Sequence, residues 1–188
     1  MKAVSDEQLI RWVADGDPSC LATLFERHHR DVYHFFLRML RHKALSEDLV
    51  QEVFLKMLKK ASSFRGEGSF RGWMFCIARN AALEHIRKNK RRGDEALDDE
   101  TLAQLSDERS AEQSAAGREK VDLVMQAIAT LPAAMQEVIF LGRFEFDSFE
   151  ELGQALDCNA GTARVRMHRA MSLLSTTFQS IHGVPIDG

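Results

Sequence analysis

Apolar residues recur along most of this chain at the three- and four-residue spacing of an α-helix. The strict alternation of apolar and polar residues that is typical of a half-buried β-strand is almost absent. Only three of the 188 residues are prolines, so few positions forbid a helix. The pattern predicts an all-α protein.

Residues that commonly begin helices divide this pattern into separate elements. Ser5, with Gln8 three residues later, has the spacing of a capping box. Asp17 followed by Pro18 suits an N-cap and the first helical position after it. Periodicity resumes near Glu119, and a further helix is expected after Leu131-Pro132. The predicted N-caps of the first four helices are Ser5, Asp17, Ser46 and Ser69.

Charged residues are unevenly distributed, although the formal net charge of the whole chain is only −3. Residues 1–92 hold 18 basic and 11 acidic side chains, a net charge of +7 that favours a polyanionic partner. Residues 93–118 have a net charge of −6 and few large apolar groups, so we expect an acidic, flexible linker between two small helical domains. The predicted ranges are 1–92 and 119–180 for the domains, 93–118 for the linker and 181–188 for a tail.

Several classes of protein find no support in the sequence. Three widely separated cysteines form no CxxC pair, and the histidines at 28, 29 and 34 lack the i,i+4 spacing that places two imidazoles on one helix face. No catalytic triad or phosphate-binding loop is recognisable, so we expect no metal, no cofactor and no enzymatic activity. The N-terminus lacks the apolar stretch of a signal peptide, and no apolar run approaches the roughly 18–20 residues of a membrane span, which predicts a cytoplasmic protein.

The stretch from residue 148 to 174 predicts a helix-turn-helix. Ser148 and Glu151 form a second capping box, and Asn159 is a suitable N-cap for the helix that follows a three-residue break. At about 100° per residue, this second helix has an apolar face and a basic face. The basic face is either an ordinary solvated surface or one that enters the DNA major groove. It comprises Gly161, Arg164, Val165, His168 and Ser172, with Arg169 at its edge and Arg166 on its flank.

The fourth predicted helix combines aromatic and basic residues. Residues 79–92 carry six basic side chains against one acid, and aromatic residues precede them on the same helix. Basic groups neutralise phosphates, and exposed aromatic rings stack on unpaired bases. Trp73 is equally compatible with base stacking and with packing in the core, and Asn80 with a base contact or simple solvation.

A polar face with helical spacing lies on the third predicted helix. It contains Asp48, Gln51 and Glu52, with Lys56 one turn further on. This face is either solvated or a docking surface for a partner helix.

Two stretches resemble the hallmarks of extracytoplasmic-function sigma factors, the minimal two-domain class of bacterial sigma-70-type initiation factors. They are EDLVQEVFLKMLKKASSFRGEGSFRGWMFCIARNAALEHIRKNKRR in the first half and LPAAMQEVIFLGRFEFDSFEELGQALDCNAGTARVRMHRAMSLL in the second. Their order and separation resemble the family as well, and the resemblance covers about residues 5–92 and 119–178.

The resemblance implies that the chain binds core RNA polymerase, through its clamp coiled coil and flap, and directs it to promoter DNA under the control of an anti-sigma factor. Asp48, Gln51 and Glu52 would dock on the clamp coiled coil. The linker would lie near the active-site cleft of the polymerase. The residues implied at the −10 element, where a base is held out of the stack, are Arg71, Trp73, Arg79, Asn80, Arg87, Lys88 and Arg91. Those implied at the −35 element are Ser148, Gly161, Thr162, Arg164, Val165, Arg166, His168 and Arg169.

The chain departs from the family pattern at three places. Arg71-Gly72 replaces a bulkier pair before the tryptophan, Ala163 replaces a β-branched residue, and Val165 replaces a small polar one. Val165 and His168 therefore leave the −35 sequence open. The alternative function is a stand-alone helix-turn-helix regulator whose first domain serves dimerisation or sensing. The polar face on the third helix and the basic, aromatic fourth helix favour the sigma factor.

Overall fold

A computed structural model describes residues 4–92 and 115–183, and these residues form helices and turns with no strand. The predicted all-α class is therefore confirmed. The helices are α1 (Asp6–Ala14), α2 (Cys20–Leu40), α3 (Lys43–Lys60), α4 (Phe70–Arg92), α5 (Ala115–Ala129), α6 (Ala133–Phe140), α7 (Phe149–Ala155) and α8 (Ala160–His182). A 3₁₀ turn at Ala61–Ser63 follows α3, and a π-helical turn at Leu141–Glu145 follows α6.

Side-chain caps explain why several helices begin where the sequence predicts. The Ser5 hydroxyl accepts the N–H of Gln8 at 3.3 Å and begins α1. The Ser69 hydroxyl accepts the N–H of Gly72 at 3.0 Å at the start of α4. Each cap satisfies a backbone donor that has no partner within its helix. Both predicted starts are confirmed.

Two predicted N-caps are wrong, Ser46 by four residues and Asp17 by two. Ser46 lies inside α3, where its hydroxyl donates to the carbonyl oxygen of His42 at 2.8 Å. His42 is the actual N-cap, because its Nδ1 accepts the N–H of Leu45 at 3.2 Å. Asp17 does accept the N–H of Ser19 at 3.1 Å, but α2 begins only at Cys20.

The predicted linker and tail lie largely outside the described residues. Helix α5 begins at Ala115, three residues before the predicted end of the linker at residue 118. Alanine is the residue that most favours a helix, which is consistent with a start at two successive alanines. The division into domains at residues 93–118 stays a prediction.

The buried residues of α1–α4 and of α5–α8 form one continuous hydrophobic cluster. Helix α4 packs against α7, and α2 packs against α6. The aromatic rings of Phe35, Phe75 and Phe146 meet edge to face across this contact, with ring centroids 5.7 and 5.4 Å apart. The two sets of helices therefore share a core. Within 4–92 and 115–183, no helix is long and apolar enough to cross a membrane.

The sequence predicts an apolar stripe of Leu49, Val50, Val53, Phe54, Met57 and Leu58 along α3, and exposure departs from this stripe at Leu58. Met57 is fully buried, as expected, whereas Leu58 is exposed and Leu55 is 57% exposed. We predict that Met57→Ala lowers the free energy of unfolding by about 2–5 kcal/mol, because it removes buried contacts and leaves a cavity. Leu55→Ala, two residues away on the same helix, should change it by less than about 0.5 kcal/mol. Chemical denaturation of both variants measures the difference, and equal losses would contradict the described packing.

Candidate nucleic-acid interface

Helices α7 and α8 are joined by a tight turn that orients α8. Ser148 begins α7 by accepting the N–H of Glu151 at 3.2 Å, and Asn159 begins α8 by accepting the N–H of Thr162 at 2.8 Å. Asp157 has a φ of 53°, a left-handed conformation that aspartate adopts more readily than most residues. Helix α8 thereby packs against both α6 and α7. Both predicted caps are confirmed.

The two predicted faces of α8 are confirmed. Ala163, Ala170 and Leu174 are buried against the core. The opposite face is open to solvent, and Val165 on it is 49% exposed. An exposed valine between basic side chains is a suitable contact for a thymine methyl group. The exposed residues of this face are Gly161, Arg164, Val165, His168, Arg169 and Ser172.

Several residues predicted at this surface also have structural contacts. The guanidinium of Arg164 lies 5.1 Å from the centre of the Phe149 ring, which orients it at the start of α7. Arg166 is half-buried and donates to the carbonyl oxygen of Leu156 at 3.4 Å. The hydroxyl of Ser148 also donates to Oε2 of Glu151 at 3.4 Å. Arg166 thus joins α8 to the end of α7, whereas the contacts of Ser148 lie within the first turn of α7.

Trp73 lies within an aromatic cluster at the start of α4. Its ring centre is 5.5 Å from that of Phe64 and 6.1 Å from that of Phe70. The tryptophan is half-buried, and its buried part packs against the hydrophobic core. Stacking of its exposed part on a base stays a prediction.

The C-terminal half of α4 presents basic side chains to solvent. Arg87, Lys88 and Arg91 are exposed, and Lys88 pairs with Glu84 at 2.7 Å. Asn80 is exposed as well, and its side-chain oxygen accepts from Arg79 at 3.4 Å. The basic surface predicted here is therefore available to an anion.

Two other arginines of α4 contact acidic residues from the second half of the chain. Arg79 forms a bidentate ion pair with Glu137 of α6, with nitrogen–oxygen distances of 2.9 and 3.0 Å. Arg71 pairs with Glu145 at 2.6 Å and with Asp31 at 2.6 Å. The structure thus separates the predicted −10 residues into an exposed set and a set occupied within the molecule.

Burial governs the protonation of these two glutamates. The side chains of Glu137 and Glu145 are only 3% and 4% exposed. Burial raises the pKa of Glu137, against the opposing effect of the nearby guanidinium of Arg79. Burial likewise raises the pKa of Glu145, although Arg38 and Arg71 both favour its charged form.

The polar face of α3 is exposed and also contains apolar residues. Asp48, Gln51 and Glu52 are all exposed, and Glu52 pairs with Lys56 at 2.5 Å. Leu55 projects from the same surface, one turn beyond Gln51. We call Asp48, Gln51, Glu52 and Leu55 the α3 ridge. The ridge therefore offers both polar groups and one exposed apolar side chain to a partner.

The sequence did not predict Leu55 in the α3 ridge, or Glu137 and Glu145 as partners of α4. It also did not predict Gln154, whose side-chain oxygen accepts the N–H of Ser69 at the start of α4. Leu55 lies four residues after Gln51, and this helical spacing indicates that the two side chains share one face of α3. Glu137 precedes a run of apolar residues, and an acid in such a run is a signal of a buried partner. The identity of that partner is not readable from local sequence.

Comparison with known proteins identifies the family. Residues 24–92 match Sigma-70 region 2. The chain is 31% identical over 160 residues to RNA polymerase sigma factor CarQ of Myxococcus xanthus, which covers 85% of this chain and 90% of that protein. The chain belongs to the sigma-70 family, in its extracytoplasmic-function class. The sigma factor is also 28% identical over 185 residues to the ECF RNA polymerase sigma-E factor of Haemophilus influenzae, covering 95% of this chain and 97% of that one.

Two solved structures share the fold of this sigma factor. CnrH, in complex with the cytosolic domain of CnrY, has a TM-score of 0.67 at 20% identity, over 93% of this chain and 97% of CnrH. RpoE of Bartonella quintana, in complex with the anti-sigma factor NepR, has a TM-score of 0.61 at 21% identity, over 84% and 96%. A sigma factor binds core RNA polymerase and promoter DNA to initiate transcription, and it is not an enzyme.

The raised pKa of Glu137 predicts how the stability of the sigma factor responds to pH. A pKa raised by folding means that the folded chain binds a proton more readily than the unfolded chain, so the contribution of Glu137 to stability is lost as pH rises through the raised pKa. Glu137→Gln removes this titration. We therefore predict that the unfolding free energy of Glu137→Gln minus that of the natural chain increases as pH rises from the ordinary glutamate range towards neutrality.

Glu84→Gln is the matched control for this measurement. Hydrogen bonding to Lys88 lowers the pKa of the exposed Glu84, so the corresponding difference for Glu84→Gln should decrease as pH rises up to the ordinary glutamate range and stay constant from there towards neutrality. Denaturant unfolding at a series of pH values gives both differences. A difference for Glu137→Gln that stays constant or decreases with pH would contradict the assignment.

Proposed function

We propose that this sigma factor recognises a bipartite promoter through two surfaces, the −10 element with residues 1–92 and the −35 element with residues 119–180. The acidic segment 93–118 would connect them near the active-site cleft of the polymerase. The observation that carries the proposal is the basic face of α8, which is exposed along one side while the other side is buried in the core. A helix anchored in this way is suited to lie in the major groove.

Direct contacts to the −35 bases are proposed for Arg164, Val165, His168 and Arg169. Arginine makes two parallel hydrogen bonds to guanine, and valine packs on the thymine methyl group. Gly161 and Thr162 stand at the start of α8, where backbone N–H groups and the helix dipole favour a phosphate. Ser148 and Arg166, which have contacts within the helix pair, are proposed to position the helices on the DNA backbone.

The −10 element is proposed to contact the side of α4 that carries Trp73 and the basic residues. Arg87, Lys88 and Arg91 are exposed and would neutralise phosphates, while Asn80 would reach a base edge. The exposed part of Trp73 would support a base that has left the stack. Arg71 and Arg79 would join this surface once their carboxylate partners are displaced.

The α3 ridge is the proposed docking surface for the clamp coiled coil of core polymerase. It lies within the region that matches Sigma-70 region 2, and its four residues are exposed. The second half of the chain would contact the flap of the polymerase. Both contacts require a cytoplasmic protein, which is the proposed location. Since CnrH and RpoE were solved with a CnrY domain and with NepR, an anti-sigma factor is the proposed regulator.

Run-off transcription tests the proposed function. The purified chain with core polymerase and a genomic promoter library should yield specific transcripts that core polymerase alone does not produce. Promoters recovered in this way define the −10 and −35 sequences. A chain that neither binds core polymerase nor initiates on any promoter, yet binds DNA by itself, would instead be a stand-alone regulator.

Arg164 provides a residue-level prediction for the −35 surface. Arg164→Ala should weaken binding to the recovered −35 duplex by about 1–3 kcal/mol, because a bidentate base contact is lost. Arg164→Lys is the matched control, since it keeps the charge and loses the planar fork. Titration of each variant with the cognate duplex and with a scrambled duplex measures both effects. Equal losses on the two duplexes, with full rescue by lysine, would show a phosphate contact only.

A further inference from the structure

Carboxylates from the second half of the chain occupy two arginines that the proposed function assigns to the −10 element. Glu137 receives two parallel hydrogen bonds from Arg79, the same fork geometry with which arginine binds a phosphate. Glu145 lies between Arg71 and Arg38, at 2.6 and 3.0 Å, and its backbone oxygen also accepts from Arg71 at 3.2 Å. Each arginine therefore already has an anionic partner in the free chain.

These ion pairs differ from ordinary surface pairs in their burial. Glu137 and Glu145 are almost inaccessible to water, and the Arg79 side chain is 16% exposed. Salt screens such pairs much less than exposed ones, and removal of one partner leaves a buried charge without compensation. The pairs are thus an integral part of the contact between the two halves.

A socket on α4 holds a third residue from the second half. The side-chain oxygen of Gln154 on α7 accepts the N–H of Ser69 at 3.0 Å, and its nitrogen donates to the carbonyl oxygen of Glu67 at 3.1 Å. Gly72 is buried beneath this side chain, and a Cβ at Gly72 would overlap the Gln154 carboxamide. Gly72, where the family commonly has a bulkier residue, therefore leaves room for Gln154 of α7.

The two proposed DNA surfaces differ in accessibility in this arrangement. Arg164, His168 and Arg169 on α8 are exposed, and so is the α3 ridge. Arg71 and Arg79, in contrast, are held against the carboxylates of α6 and of the turn after it. The closed contact thus covers the −10 arginines and leaves the −35 face open.

We infer that Glu137, Glu145 and Gln154 form an autoinhibitory latch, in which the two glutamates take the place of DNA phosphates on Arg79 and Arg71 until α5–α8 separate from α4. This inference rests on the proposed function for the identity of the DNA surface. The −35 face and the α3 ridge can engage their partners in the latched chain. Contact of Arg71 and Arg79 with the −10 strand requires the latch to open.

The full-length double variant Glu137→Gln/Glu145→Gln tests the latch. It retains side-chain size and removes both charges by which the second half of the chain holds Arg71 and Arg79, while the pair of Arg71 with Asp31 of α2 stays. Its radius of gyration in small-angle X-ray scattering should increase. A short fluorescein-labelled single-stranded DNA of mixed sequence should bind about tenfold or more tightly, because the binding-competent fraction rises. Binding to a mixed-sequence duplex, which engages the open α8 face, should change by less than about threefold.

The charge-matched control is Glu26→Gln/Glu150→Gln. Both residues are exposed, Glu26 on α2 and Glu150 on α7, and neither is assigned to a DNA surface. This control also removes two negative charges, so it reports the general electrostatic gain in DNA affinity. Its radius of gyration should equal that of the natural chain. A similar affinity gain in both double variants would overturn the latch.

Gly72→Ala is a second variant that leaves the charge unchanged. Alanine favours a helix over glycine, so α4 itself should not be weakened, while the added Cβ displaces Gln154 from its socket. It should shift scattering and single-strand affinity in the same direction as the double variant. If both variants keep the scattering and affinity of the natural chain, or open without a gain in single-strand binding, the latch is overturned. Run-off transcription by the natural chain separately decides the proposed function.

Discussion

The burial of Glu145 between two arginines of the first half is the interaction on which the arrangement of this sigma factor depends most. A carboxylate with 4% exposure is costly unless it is paired. Arg38 and Arg71 supply that pairing, and Phe146, the next residue, packs edge to face on Phe75 of α4. The π-helical turn that ends at Glu145 delivers both residues to the same place. Its charge and its aromatic neighbour together determine where α7 lies on α4.

The same chemistry explains why arginines of α4 suit two kinds of partner. A guanidinium offers a planar set of donors that fits carboxylate and phosphate equally well. In the free chain the carboxylates are supplied from 58 and 74 residues further along the chain, for Arg79 and Arg71 respectively. Promoter DNA supplies phosphates. In the proposed latch, the second half of the chain and the DNA would compete for one set of donors, whereas the α3 ridge and the basic face of α8 are exposed.

Local features of the fold were predictable because they depend on neighbours in sequence. Ser5, Ser69, Ser148 and Asn159 cap their helices through the next turn of backbone, and the faces of α8 follow from its periodicity. The predicted start of α3 was wrong, although the residue that begins this helix is also a neighbour in sequence. A histidine imidazole caps it, directly after Arg41 ends α2 in a left-handed conformation with φ of 51°. Serine followed by an acidic residue is a commoner sign of a helix start than histidine, and Ser46-Glu47 has that pattern inside α3.

The sequence by itself determined the helical class, most helix starts, the basic face of α8 and, by resemblance, the sigma-70 family. These depend on periodicity and capping, which operate over a few residues. Only the tertiary structure decided which basic residues are free. The bonds from Arg71 to Glu145, from Arg79 to Glu137 and from Ser69 to Gln154 join positions that are dozens of residues apart. Such pairings follow from how helices pack, because a buried charge must find its partner in three dimensions.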